Sequence, residues 1–173
     1  MILAAAQTKP KRGDISSNLL NHYQLIELAA QNGANLIVFP EMSITGYERE
    51  NAVPLAFTKD DYRIDHLKEL AFKNNIIIIA GAPIQVENEM FIGEFVISPD
   101  NTVSIYTKQF LHEGEDEFFQ SSFNYNPMIT IDNKKISFAI CADIDNPKHP
   151  ENAKNKETDI YIASIFFSPN GIP

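Results

Sequence analysis

Three stretches of the chain carry side chains suited to acid–base and nucleophilic chemistry. The first is Val38-Phe39-Pro40-Glu41-Met42-Ser43-Ile44-Thr45-Gly46-Tyr47, where an apolar run meets a proline and a carboxylate follows at once. Proline has no N–H for a strand ladder, so the strand ends there. Glu41 is thereby left at the C-terminal edge, the side on which α/β sheets place their active sites. The second is Ile105-Tyr106-Thr107-Lys108, again a strand running out onto a charge. A lysine ammonium beside apolar groups is able to hold an oxyanion. The third is Ile136-Ser137-Phe138-Ala139-Ile140-Cys141-Ala142-Asp143, and Cys141 is the only cysteine. Strand alternation predicts Ser137, Ala139 and Cys141 on one face, with Phe138 and Ile140 on the other. Cys141 ends this strand at a corner with a polar turn, a setting in which a nucleophile can be exposed.

Taken singly, each residue also has a plainer reading. Glu41 would be a solvated loop glutamate, Lys108 a solubilising charge at a strand end, and Cys141 a buried inert thiol. The acidic run behind Lys108, from Glu113 to Glu117, reads as a solvated loop. No second carboxylate or histidine group stands at a spacing suited to a metal.

The elements that must position these groups follow from periodicity. Apolar β-rich runs predict strands at Ile2–Ala6, Leu36–Phe39, Ile76–Ala80, Phe91–Ile97, Val103–Tyr106, Met128–Ile131, Ile136–Ile140 and Ile160–Ile165. Ile76-Ile77-Ile78-Ile79 is apolar on both faces, as in a sheet covered on both sides. Two helices are predicted. One spans about Asn18–Gln31, with Ser16 or Ser17 as N-cap, Gly33 as stop, and Leu19, Tyr23, Ile26 and Ala30 on its apolar face. The other spans about Asp60–Lys73, with Tyr62, His66, Leu67, Leu70 and Ala71 in a stripe and Asp60 and Asp61 favouring its N-terminal dipole. Pro99-Asp100-Asn101 and Asp132-Asn133 signal hairpin turns. The order opens β-α-β-α-β and then turns strand-rich, with no repeat or linker, so residues 1–173 form a single mixed α/β domain.

The chain has 173 residues, 44% of them hydrophobic and 21% charged, the balance of a globular protein with a real core. Its formal net charge of −9 repels phosphate backbones and anionic lipid, which argues against nucleic-acid and membrane partners. One cysteine allows no intramolecular disulfide, which fits a reducing compartment. Met1–Ala6 is apolar but short and lacks a preceding basic stretch, so it reads as a first strand rather than a signal peptide or span. The cytoplasm is the expected location.

Together the stretches FPEMSITGY (39–47), YTKQFLHEGE (106–115) and ICAD (140–143) resemble the nitrilase superfamily, the carbon–nitrogen hydrolases. ILAAAQ (2–7), GANLIVFPE (33–41), AGAPI (80–84) and DIYIASIFFSPNGI (159–172) fit the same pattern, so the likeness runs over nearly the whole chain in order. It implies a four-layer α-β-β-α sandwich of two packed sheets. It implies Glu41 as general base, Lys108 as oxyanion donor and Cys141 as nucleophile, acting on a small amide or carbamoyl compound without metal or organic cofactor. A second glutamate downstream of the lysine matches Glu115 best, with Glu113 and Glu117 as alternatives. Tyr47, Phe118 and Phe166 are expected to line the substrate pocket, with Phe119 and Phe167 beside them. Where family members carry a histidine two residues past the lysine, this chain has Phe110.

The likeness further implies a domain continuing past Pro173, so the C-terminal part is expected to be missing. An uncovered sheet edge invites strand pairing between copies, and a homo-oligomer, a dimer in the family, is expected. The competing function is that of an inactive remnant serving as a binding or assembly module. A redox-sensing thiol lacks support, because no resolving cysteine is present.

Overall fold

In β3 (Ile77–Val86) successive side chains enter two different cores. The computed structural model, which describes residues 1–167, places Ile78, Ala80, Ala82 and Ile84 in a cluster beneath two helices. Ile79 packs into a second cluster between two sheets, with Ile77 against it. That is the physical sense of the four-isoleucine run: neither face of the strand meets water.

The first sheet has the order β1 (Leu3–Ala5), β2 (Leu36–Val38), β3, β4 (Glu89–Ile97), β5 (Val103–Thr107). β1, β2 and β3 run parallel, and β4 and β5 are added antiparallel. Its outer face is covered by α1 (Ile15–Gln31) and α3 (Asp65–Asn74), through Leu19, Ile26 and Ala29 of the first and Leu67, Leu70 and Ala71 of the second. The second sheet has the order β6 (Ile129–Ile131), β7 (Lys134–Ile140), β8 (Ile160–Ser164), with β6 antiparallel and β8 parallel to β7. Ile136, Phe138 and Ile140 of β7 face Leu36, Ile79, Ile92, Val96 and Tyr106 of the first sheet. Ile160 and Ile162 of β8 also pack inward, so Tyr161 between them points outward. There it bonds His149 of α4 (Lys148–Asn155), which lies on the outer side of this sheet. The layers are α-β-β-α.

Several boundaries depart from the sequence expectation. α1 starts at Ile15, capped by Asp14, whose carboxylate accepts the Ser17 N–H at 3.0 Å, rather than by Ser16 or Ser17. On its inner face His22 and Ala29 are buried, whereas Tyr23 and Ala30 are only half-buried. His22 tolerates burial because both ring nitrogens are bonded, to the Asn18 carbonyl at 2.7 Å and Ser43 Oγ at 2.9 Å, and its ring stacks on Phe39. The second predicted helix divides into a 3-10 turn (Tyr62–Ile64) and α3, leaving Tyr62 and His66 exposed and Ile64 buried in their place.

α2 (Ala52–Leu55) and α4 were not foreseen, because each contains a proline, which argues against a helix on pattern alone. In α4 Pro150 falls in the first turn, where no backbone donor is required. β3 extends to Val86 and returns through Glu87-Asn88, a turn without glycine or proline. Asp132 and Asn133 both have positive φ, as a tight hairpin between β6 and β7 requires. The turn signal at Ser168-Pro169-Asn170-Gly171-Ile172-Pro173 lies outside the described residues. Among those described, no helix is long and apolar enough to cross a membrane.

Candidate active site

Glu41 is placed by a turn laid directly on β3. The Phe39 N–H still pairs with the Ile79 carbonyl at 2.9 Å, Pro40 stops the ladder, and the Ile44 N–H returns to the Gly81 carbonyl at 3.0 Å. Gly81 is what allows the contact. A Cβ there would stand 2.5 Å from Met42 N and 3.1 Å from the Pro40 carbonyl oxygen. Met42 takes a positive φ of 50°, and the Glu41 side chain is driven under the turn until it is buried.

Lys108 follows the last residue of β5, with its N–H donating to the Ile92 carbonyl at 2.9 Å, and it is completely buried. Its Nζ donates to Glu41 Oε1 at 2.8 Å and to Glu115 Oε1 at 2.8 Å. An ammonium has three N–H bonds, so one has no partner among the described residues and can serve a ligand. Glu115 is itself held, accepting the Tyr47 hydroxyl at 2.5 Å on Oε1 and the His112 N–H at 2.7 Å on Oε2. Of the acidic run, the structure turns Glu115 inward and leaves Glu113, Asp116 and Glu117 exposed.

Cys141 departs from simple strand alternation. It begins a 3-10 turn (Cys141–Asp145) with φ of 43°, a region that non-glycine residues rarely occupy. The rotation carries its side chain away from the Ser137 and Ala139 face and packs it against the inter-sheet cluster that holds Phe138 and Ile140. The thiol is half-buried, and the charges of Glu41, Lys108 and Glu115 all act on it.

The charges are mutually dependent. Burial raises the Glu41 carboxyl above its usual range, and the Lys108 ammonium only partly offsets this. Burial works to lower Lys108, but the Glu41 and Glu115 charges outweigh it, so the ammonium is held above its ordinary value. The Cys141 thiol is pushed up to about 11, first by burial and then by the Glu41 charge, with Lys108 opposing. At neutral pH it is therefore a thiol, not a standing thiolate.

Of the aromatics, Tyr47 stacks on Phe166 with ring centroids 5.3 Å apart, and the Arg49 guanidinium stands over the same ring. Phe119 is buried in the inter-sheet cluster and Phe118 is half-buried against it, while Phe167 is exposed. Phe110 meets Phe123 and His149 edge-on. A groove of about 560 Å³ is lined by residues 109–113, Ser121, Ala142 and residues 145–147, and Tyr47, Phe118 and Phe166 are not among its lining residues.

Three further buried acids were not singled out from the sequence: Glu48, which pairs with Arg12, Asp143 and Glu94. Asp143 receives hydrogen bonds from both flanks of the site. Glu94 is buried between the sheets, its Oε1 has no partner among the described residues, and burial pushes it up to about 8. A lone glutamate inside the apolar run Phe91–Ile97 was the available signal for the latter.

Two facing sheets with outer helices, and a thiol, an ammonium and two carboxylates gathered at the strand ends, define a layered α/β protein with a charged thiol site. Comparison with known proteins gives the family: the carbon–nitrogen hydrolase profile matches residues 2–172, and the chain belongs to that family. Among curated relatives, it is 25% identical over 172 residues to a glutamine-dependent NAD(+) synthetase of Thermotoga maritima, covering 95% of this chain and 29% of the relative. It is 27% identical over 162 residues to a protein N-terminal amidase of Schizosaccharomyces pombe, covering 85% and 56%. In fold it resembles an amidase from Nesterenkonia sp. AN1, with TM-score 0.82, 18% identity and coverage of 97% and 68%. It also resembles a CN-hydrolase superfamily protein from Xanthomonas campestris, with TM-score 0.86, 16% identity and coverage of 96% and 65%. The chain thus spans less than a third of the synthetase and just over half of the N-terminal amidase.

Proposed function

We propose that this chain hydrolyses a C–N bond, other than a peptide bond within a chain, in a small amide or carbamoyl compound through a thioester on Cys141. The observation that carries the reading is the Lys108 ammonium, 2.8 Å from each of two buried carboxylates, with the charges of all three groups acting on the only thiol.

The Cys141 sulfur attacks the carbonyl carbon as its proton passes to Glu41. The free N–H of Lys108 meets the oxyanion, a contact of the kind worth about 3–4 kcal/mol of barrier. Glu41 returns the proton to the departing nitrogen, the C–N bond breaks, and ammonia or an amine leaves. Water then gives a proton to Glu41 and adds to the thioester. Collapse releases the carboxylic acid, and the sulfur regains a proton from Glu41. Each proton transfer is served by Glu41, and Glu115 keeps Lys108 aimed. Tyr47 and Phe166 supply an aromatic wall. Self-association belongs to the same proposal, since among the described residues β8 pairs only with β7 and offers its other edge.

The test is ammonia release from acetamide, propionamide, an N-carbamoyl amino acid and glutamine, the last suggested by the glutamine-dependent relatives. Wild type should release ammonia from at least one, and Cys141→Ala from none above background. Equal rates in the two proteins would remove the thiol from the reaction. Fluoroacetamide is the complementary probe, since its acetamide moiety adds covalently to the active-site cysteine in a glutamate-to-glutamine mutant of the Nesterenkonia amidase.

A further inference from the structure

Asp143 lies two residues past the thiol, and each of its carboxylate oxygens accepts two hydrogen bonds. Oδ1 takes the N–H groups of Gln109 at 2.9 Å and Phe110 at 2.8 Å. Oδ2 takes the N–H of Ile140 at 2.9 Å and the Tyr106 hydroxyl at 2.6 Å. Gln109 and Phe110 directly follow Lys108, and Ile140 directly precedes Cys141. β5 and β7 belong to different sheets. One carboxylate therefore ties the end of the strand bearing the ammonium to the end of the strand bearing the sulfur.

Counting protons orders the groups behind it. The single Tyr106 hydroxyl hydrogen goes to Asp143, so its oxygen accepts the Nε2–H of His149 at 2.8 Å. The Nδ1 of a neutral imidazole is then bare and accepts the Tyr161 hydroxyl at 2.6 Å. Burial favours that neutral ring. A directed chain thus runs from Tyr161 on β8 through His149 on α4 and Tyr106 on β5 to Asp143. Each bond polarises the next in a site with little water.

We infer that Asp143 is the positioning residue that holds Cys141 in its left-handed backbone conformation opposite Lys108, and that the Tyr161–His149–Tyr106 chain locks Asp143 in place. A φ of 43° at a cysteine costs free energy and persists only where the surroundings hold it. Here the hold is applied at the residue just before, through the Ile140 N–H. The inference adds to the proposed hydrolysis and rests on its assignment of Cys141 and Lys108, but its test does not need turnover.

Cys141 is the only thiol, so iodoacetamide alkylation followed by mass reports that residue alone. The rate is measured against pH for wild type, Asp143→Asn, Tyr106→Phe and Tyr161→Phe, together with each thermal midpoint. kcat and KM are added for any amide that proves a substrate. Asn at 143 would present an NH₂ to the Ile140 N–H or to both N–H groups of 109 and 110, a clash of donors. Asp143→Asn should shift the thiol titration and change the alkylation rate at pH 7 by about 10- to 100-fold, the scale of hydrogen bonds to a charged group. Tyr106→Phe should give a smaller change of the same sign, and Tyr161→Phe one within about twofold, the order following distance along the chain. kcat should fall with KM nearly constant. A folded Asp143→Asn protein with the wild-type alkylation profile would overturn the inference. If that variant does not fold, Tyr106→Phe decides, because it keeps all three backbone contacts. An unchanged thiol profile there, with only a lower melting point, makes the network structural and overturns the positioning role. A shifted profile in a chain inert toward every amide would sink the hydrolase reading and leave this one standing.

Discussion

The Lys108 ammonium lies 2.8 Å from the Glu41 carboxylate with both side chains out of water, so each is the condition for the other's charge. Removing one partner leaves an uncompensated buried ion. Lys108→Met leaves Glu41 and Glu115 facing each other. It should lower stability by about 3–5 kcal/mol and remove any amide hydrolysis. Urea unfolding checks the first half, and a loss below about 1 kcal/mol would mean the carboxylates simply take up protons or water.

The backbone at Cys141 gives a separate test of strain. Both Cys141→Ala and Cys141→Gly remove the thiol, but only glycine adopts φ of 43° without a Cβ penalty. The glycine variant should be more stable than the alanine variant by about 1 kcal/mol, the reverse of the order in ordinary strand or helix positions. Thermal unfolding of the pair measures this, and a more stable alanine variant would deny the left-handed turn.

Gly81→Ala addresses the seat of Glu41. The new Cβ meets backbone at 2.5 Å, and backbone cannot rotate aside. The turn from Pro40 to Met42 must lift, at a cost of about 1–3 kcal/mol. Because Glu41 moves with it, hydrolysis should fall far more than stability does. A variant that is less stable but fully active would show that Glu41 does not need this placement.

Glu94 sets a pH dependence. Its folded value of about 8 exceeds the ordinary 4.5, so the folded state binds this proton more tightly than the unfolded chain. Its favourable contribution is whole below about pH 4.5, fades as pH rises from there to 8, and is gone above. Glu94→Gln removes the titration and should gain on wild type by up to a few kcal/mol between pH 5 and 8. Denaturant midpoints across that range decide it. A constant difference between the two proteins would mean that Glu94 keeps its charge in the folded state.

What the sequence determined by itself is what short range controls. Apolar period marks the eight strands and both long helices, because a buried face repeats with the local geometry of the chain. Pro40 ends β2 through its own missing N–H, so a carboxylate at a strand end was legible, as were Lys108 after β5 and Cys141 after β7. The motifs carried the family, and with it the layering. The motif favours Glu115 with 113 and 117 as alternatives, and which of the three turns inward is left to the tertiary structure. That depends on Tyr47 and Lys108 arriving from elsewhere, and three glutamates in one loop have the same local propensity. It also decided which way the thiol faces. Alternation put it with Ser137 and Ala139, and the positive φ at 141 reversed this. The Asp143 contacts reach back 34 and 37 residues, to Gln109 and Tyr106. No periodicity reports a bond that forms only when two sheets close on each other.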